Sequence, residues 1–269
     1  MALTINTNVA SLSAQRNLMV SQNSLQTSIN RLSSGLRVNS ASDDPAGLAI
    51  ATRMAQQVSG MTQAIRNTND GISMMQTADA GLTSMTDILG RMRDLAIQAL
   101  NGTNGSSDLL NLDTEYQALN SELIRIPGAT VFNGVPIIGA SAGTTSLQVG
   151  ANASDTISIV TNAATAYAPG QAITDPTSAS LALASIDTNT FSINTDRSVY
   201  GATVSRLNYS VTALSADVTA TQTARGRIVD ADFATETANL TRANVLQQAG
   251  TAVLAQANAM PNQVLTLLR

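Results

Sequence analysis

The chain has 269 residues and a formal net charge of −4; charged residues make up 12% of it and aromatic residues 3%. It contains no Cys, His or Lys. Disulfides, thiol chemistry, the commonest zinc ligands and the usual general base are therefore excluded, and no enzyme activity or cofactor is expected. The weak negative charge without a basic cluster disfavours nucleic acid and anionic membranes as partners. No apolar run approaches the roughly 20 residues of a membrane span.

The first 34 residues are predicted to form an amphipathic helix. Its apolar residues recur mostly at steps of three, four or seven, as one helical face requires. They are Ile5, Val9, Leu12, Leu18, Leu25, Ile29 and Leu32. The opening "MALTINTNVA" lacks the positive charge and apolar run of a secretory signal peptide. An apolar face at a chain end predicts that the helix is buried, but the periodicity does not identify the surface that covers it.

Residues 35–45 are predicted to be a connector that ends where a long helix starts. Asp44 is expected to be its N-cap, with Pro45 at the first helical position. The adjacent aspartates could also suggest a metal site, but no further ligands cluster near them. Residues 46–128 then read as two rod helices separated by "NGTNGSSD", with apolar residues in a heptad-like pattern. Glycines inside the rods indicate close packing or, alternatively, hinges.

The sequence pattern of residues 129–160 predicts a small β region. "VFNGV" carries an Asn-Gly turn signal, and "TSLQVG" and "DTISIV" alternate like short strands. Residues 161–180, which include "AYAPGQAITDP", read as a surface loop.

The C-terminal part is predicted to be helical again, as a rod over residues 181–226 and a terminal helix over 227–269. The rod keeps a single heptad register through Ile186, Ile193, Tyr200 and Leu207. The terminal helix carries a second apolar stripe. It comprises Leu246, Ala249, Val253, Met260, Val264, Leu267 and Leu268. The fold class is therefore mainly α, with a long antiparallel coiled-coil-like rod and a small β-hairpin region.

Two long blocks resemble the terminal blocks of bacterial flagellins: "RLSSGLRVNSASDDPAGLAIATRM" and "ARGRIVDADFATETANLTRANVLQQAGTAVLAQANAMPNQVLTLLR". "LQVGANASDTISI" is similar to the β segment of that family. The resemblance covers roughly residues 1–160 and 180–269, in the family's order. It implies a structural subunit that assembles into the extracellular flagellar filament, the propeller of bacterial motility.

The same resemblance implies a layered arrangement in the polymer. The N- and C-terminal helices would pair as an inner tube layer, the central helices would form an outer rod layer, and residues 35–45 would join the layers. The segment 161–180 would replace the variable domains of larger flagellins. The implied partners are other copies of the chain, the flagellar export apparatus, a flagellin chaperone, the filament cap and the hook–filament junction proteins.

A surface for an immune receptor is also implied. Some flagellins are sensed by a Toll-like receptor, and the matching positions here are Arg91, Leu95 and Glu115. Gly90 and Asp94 depart from the usual Gln and Glu of the family. The alternative function is that of a hook–filament junction protein. A filament that also acts as a surface adhesin is a further possibility, whereas the zinc peptidase inserts of some flagellins need histidines that this chain lacks.

Overall fold

A computed structural model of the chain describes residues 7–267; the side chains of Ala166 and of residues 261–267 are outside the description. Five helices account for most of these residues. They are α1 (Val9–Ser34), α2 (Pro45–Ala99), α3 (Ser106–Ala129), α4 (Pro176–Val229) and α5 (Phe233–Leu267). The prediction of a mainly helical chain with a small β-hairpin region is confirmed.

The chain divides into two compact units. The first contains residues 1–56 and 220–269, and the second contains residues 57–219. In the first unit, α1 and α5 pack along each other. Their contacts place the start of α1 beside the end of α5, because Asn8 bonds to Ala257 and Ser28 bonds to Glu236. The pair is therefore antiparallel.

In the second unit, α2 and α4 also run antiparallel around a continuous apolar core. The predicted heptad on α4 is buried: Ile186, Ile193 and Leu207 have no exposed surface, and Tyr200 is 1% exposed. On α2 two interleaved heptads have no exposed surface either. They comprise Met75, Ala78, Leu82, Met85, Leu89, Met92, Ala96 and Ala99. This is the a and d pattern of a coiled-coil seam.

Two hairpins cover part of this core. Strands β1 (Val131–Phe132) and β2 (Val135–Pro136) flank Asn133 and Gly134, whose φ angles are 49° and 79°. Positive φ at both turn residues is the requirement of a tight type I′ hairpin, which Asn-Gly meets at low cost. Strands β3 (Thr144–Gln148) and β4 (Thr156–Val160) form the second antiparallel hairpin.

Residues 161–175 differ from the surface loop that their composition predicts. A short 3₁₀ helix (Ala164–Tyr167) lies within them, and α4 already begins at Pro176. Ile173 has no exposed surface, and the Tyr167 hydroxyl donates to the Asp196 carboxylate over 2.6 Å. Polar and small residues suggested a loop, but their side chains make tertiary hydrogen bonds that tie the segment to α4.

Candidate assembly surface

The seam between α1 and α5 is built from small and polar side chains. Its buried residues are Ser11, Ala14 and Ser28 in α1 and Glu236, Ala243 and Ala257 in α5. At Gly250 the two helices are so close that a Cβ atom added there would lie 3.2 Å from Leu18 Cδ1. Small side chains permit this approach, but they bury little apolar area.

A carboxylate lies inside this seam. Glu236 is 7% exposed and accepts hydrogen bonds from Ser28 Oγ over 3.0 Å and from Arg31 Nη1 over 2.9 Å. Burial by itself would raise the pKa of Glu236. The hydrogen bonds from Arg31 and Ser28 outweigh burial, so its pKa is lowered from the ordinary value of 4.5. Glu236 is therefore ionised at neutral pH and paired with a cation.

Polar contacts also fix the opposite end of the helix pair. Asn8 Nδ2 donates to the Ala257 carbonyl over 2.7 Å, while its Oδ1 accepts from the Ser11 backbone N–H as the N-cap of α1. Ser11 Oγ is 2.7 Å from Asn258 Oδ1. Directional contacts thus hold α1 against α5 near both ends of the seam.

The large apolar side chains of these helices lie mostly outside the seam. Among the described side chains ten are exposed by more than a third: Val9, Leu12, Met19, Val20 and Ile29 in α1, and Phe233, Val245, Leu246, Val253 and Met260 in α5. Leu246, Val253 and Met260 follow one another at steps of seven, and they are 51%, 57% and 45% exposed. They form a continuous apolar stripe along one edge of α5.

The residues predicted for polymerisation thus fall into two groups. Leu18, Leu25 and Leu32 are half-buried. The other described residues of the two predicted stripes, Ala249 among them, are exposed on the free face. Ile5 and Leu268 lie outside the described residues, and the described side chains do not include Val264 and Leu267.

Sequence reasoning missed several residues of this surface. Met19, Val20 and Val245 are exposed apolar residues that fall off the predicted stripes. Arg31 and Glu236 were missed because charged residues are ordinarily assigned to the solvated face of a helix. A signal was present, since Glu236 begins the seven-residue series that continues at Ala243, Gly250 and Ala257.

The connector before α2 is ordered by the residues that were predicted to start this helix. Asp44 Oδ1 accepts from the Gly47 backbone N–H over 2.8 Å, and Pro45 is the first helical residue. The connector also touches the end of α4, where Arg37 N donates to the Val229 carbonyl over 2.7 Å. Asp230 pairs with Leu36 in an isolated antiparallel bridge.

The implied receptor positions lie on α2 and α3. Arg91 and Glu115 form an ion pair of 2.7 Å, with side chains 55% and 46% exposed. Leu95 is only 1% exposed because it belongs to the apolar core. The ion pair is therefore accessible, while Leu95 has almost no surface with which to contact a partner.

Neither a metal centre nor a membrane span is found in the part of the chain that the structure describes. No three acidic, His or Cys residues there are grouped as metal ligands. None of the helices within residues 7–267 is both long and apolar enough to cross a bilayer.

Comparison with known proteins gives matches at both ends of the chain. The family model for the bacterial flagellin N-terminal helical region matches residues 5–143, and the model for the C-terminal helical region matches residues 183–268. Together they leave residues 1–4, 144–182 and 269 unmatched.

Several curated relatives match over nearly their full length. A flagellin from Halalkalibacterium halodurans is 41% identical over 98% of this chain and 99% of its own. A flagellin from Xenorhabdus nematophila is 39% identical over the whole of both chains. The flagellar filament 33 kDa core protein of Treponema phagedenis is 35% identical over 98% of this chain and 99% of its own.

A solved structure is also similar. The crystal structure of Bacillus cereus flagellin is 34% identical, covers 55% of this chain and 88% of that one, and superposes with a TM-score of 0.52.

Proposed function

Because the chain belongs to the bacterial flagellin family and is a structural subunit of the flagellar filament, we propose that α1 and α5 supply the core contacts of that polymer. The supporting observation is that most of their large apolar side chains lie on the free face of the pair. Covering such surface stabilises an assembly by about 25 cal/mol per Å². The exposed stripes therefore favour a polymer over the single chain.

The proposal assigns a role to each segment of the chain. Residues 1–34 and 227–269 contribute to the inner layer of the filament, and residues 46–128 and 181–226 contribute to its outer rod. Residues 35–45 connect the layers. The hydrogen bonds of this connector with the end of α4 support its placement beside the chain segment that leads into α5.

The remaining partners follow from the same exposed stripes. An apolar stripe such as Leu246, Val253 and Met260 needs cover before polymerisation, which fits a chaperone that delivers the subunit to the flagellar export apparatus. At the two ends of the polymer the stripes of the terminal subunits lack neighbouring copies. The filament cap and the hook–filament junction proteins fit these positions, and the assembled filament is extracellular.

Recognition by a Toll-like receptor is proposed for the accessible pair Arg91 and Glu115. Both partners are about half exposed, so a receptor can reach their charges. Leu95 would act only by supporting α2 from the core. An Arg91→Ala variant should lose receptor activation in a reporter-cell assay and still assemble.

Assembly of the full-length chain tests the main proposal. Leu246→Ser combined with Val253→Ser should leave helix content unchanged, because both side chains are exposed in the single chain. The double variant should raise the concentration needed for filament growth by at least about tenfold, as judged by electron microscopy and sedimentation. Val160→Ser, on the exposed side of β4, is the control and should assemble normally. Normal growth of the double variant would contradict the proposal.

A further inference from the structure

We propose that the pair of buried Glu236 and partly exposed Arg31, together with Ser28, sets the register of α1 against α5. This inference rests on the proposed role of the two helices in the polymer core. It gives the three residues a positioning function, since they decide which residues of the two helices lie side by side. A polar group in a helical seam is the best-attested device for fixing register.

The seam needs such a device because its apolar contacts discriminate poorly between registers, and at its other end only Asn8 and Ser11 add polar contacts. In α5 the small residues Ala243, Gly250 and Ala257 recur every seven positions, and in α1 Leu18 and Leu25 have the same spacing. A slip of seven residues therefore places similar side chains opposite each other. Small and aliphatic side chains alone give little preference for one alignment.

Glu236 does distinguish one register from another, because it is the only carboxylate within α1 and α5. In the observed register it meets Ser28 and Arg31. A seven-residue slip towards the start of α1 would put it beside Ser21 and Ser24, where no cation is available. A buried carboxylate without its cation is strongly destabilised. A slip the other way would carry Glu236 beyond Ser34, where α1 ends.

Register matters for the polymer because the exposed stripes belong to both helices. Leu12 and Met19 on α1 are seven residues apart, as are Leu246, Val253 and Met260 on α5. A slip of seven residues moves one stripe past the other by about 10 Å. A second copy would then meet an apolar face of different shape.

Engineered disulfides can report the register directly, since the chain has no cysteine of its own. A Cβ atom at position 250 would lie 3.8 Å from Leu18 Cβ, which suits a disulfide. Leu18→Cys with Gly250→Cys therefore reports the observed register. Ser11→Cys or Leu25→Cys, each with Gly250→Cys, reports a slip of seven residues in either direction.

The experiment compares cross-linked fractions in full-length chains assembled under oxidising conditions. With Arg31 and Glu236 intact, the reporter at 18 and 250 should cross-link and the slipped reporters should not. Glu236→Ala should reduce the first product by about tenfold and make a slipped product appear. The reversed pair, Arg31→Glu with Glu236→Arg, should restore the first product. Glu122→Ala, which breaks the exposed pair with Arg125, is the matched control and should change nothing.

Each outcome either supports or overturns the register proposal. If Glu236→Ala lowers the cross-link at 18 and 250 without any slipped product, the pair contributes only stability and the register proposal is wrong. An unchanged cross-link pattern overturns it as well. If filaments form from the Leu18→Cys, Gly250→Cys chain with Arg31 and Glu236 intact but without a cross-link between the two cysteines, the pairing of α1 and α5 in the polymer fails, and the proposed function fails with it.

Discussion

The two antiparallel helix pairs of this chain differ in the kind of side chain that they bury between the helices. Between α2 and α4, large side chains such as Met75, Leu89 and Ile193 have no exposed surface. Between α1 and α5, the buried residues are small or polar, and most of the large apolar residues remain outside. The first pair buries its hydrophobic surface within one chain. The second keeps much of it available for other copies.

This difference teaches how one chain can fold in part and still polymerise. Burial of large side chains stabilises the α2–α4 unit without help from a neighbour. The α1–α5 pair gains specificity from hydrogen bonds and an ion pair, but these give modest net stability. Its full stabilisation is therefore expected only in the assembled filament.

The largest expected effect on stability comes from truncating one leucine in each of the two helix pairs. Leu89→Ala removes a side chain with no exposed surface and should lower the free energy of unfolding by about 3 kcal/mol. Leu246→Ala, at 51% exposure, should change it by no more than about 0.5 kcal/mol in the unassembled chain. Urea unfolding followed by circular dichroism measures both. Equal losses in the free energy of unfolding would contradict the difference between the two helix pairs.

Alkaline pH should act on the second unit through Tyr116 of α3, which is one of its buried tyrosines. Burial raises the pKa of Tyr116 from 10.0 to about 12, so the unfolded chain releases this proton first. The stability that Tyr116 contributes is complete below pH 10 and is lost as the pH rises towards 12, by up to about 2 kcal/mol.

Tyr116→Phe should remove that part of the alkaline loss. It should also stabilise the chain slightly at neutral pH, because the Tyr116 hydroxyl is buried and has no hydrogen-bond partner among the described residues. Unfolding curves at pH 7 and pH 11 test this expectation. An unchanged pH dependence would show that other groups cause the alkaline loss.

Two glycines on α2 should respond in opposite directions. A Cβ atom on Gly81 would lie 2.6 Å from Thr130 Oγ1 and 2.9 Å from Ile138 Cδ1, so Gly81→Ala should cost about 1 kcal/mol. A Cβ atom on Gly90 meets nothing within 4 Å, so Gly90→Ala should stabilise the helix by about 1 kcal/mol. Thermal unfolding compares the two variants. Stabilisation by both would contradict the close packing at Gly81.

The smallest expected effect is that of acid on the α1–α5 pair. The pKa of Glu236 is lowered by its hydrogen bonds with Arg31 and Ser28, although burial opposes this shift. The contribution of Glu236 is therefore complete above pH 4.5 and is lost as the pH falls below it. Glu236→Gln should make helix content less dependent on pH between 5 and 3. An identical acid titration would exclude Glu236 as its cause.

Local patterns in the sequence predicted much of the fold. The heptad through Ile186, Ile193 and Leu207 identified the core face of α4, and Asn133-Gly134 identified the first hairpin. Both signals are local, because they depend on helical periodicity or on the φ angles of two residues. The segment 161–175 was misread as a surface loop because its anchors, such as Asp196, are distant in sequence.

The site was less predictable than the fold. The apolar stripe with Leu246 and Val253 is evident in the sequence, but its periodicity does not say whether the stripe faces α1 or is free. The sequence did not identify Glu236 for a related reason. A charged residue gives no local sign that it is buried, and its partners Ser28 and Arg31 lie about two hundred positions away.

The sequence by itself determined the helices, the first hairpin turn and the apolar periodicity of both chain ends. These follow from backbone preferences and from side-chain spacing within a few turns. Only the tertiary structure decided which face of α1 meets α5, that Glu236 is buried there beside Arg31, and that most of the large apolar residues of this pair stay exposed. The physical reason is that a helix with several apolar or small faces can pack in more than one way. The choice depends on how well the surfaces and polar groups of two distant segments fit together.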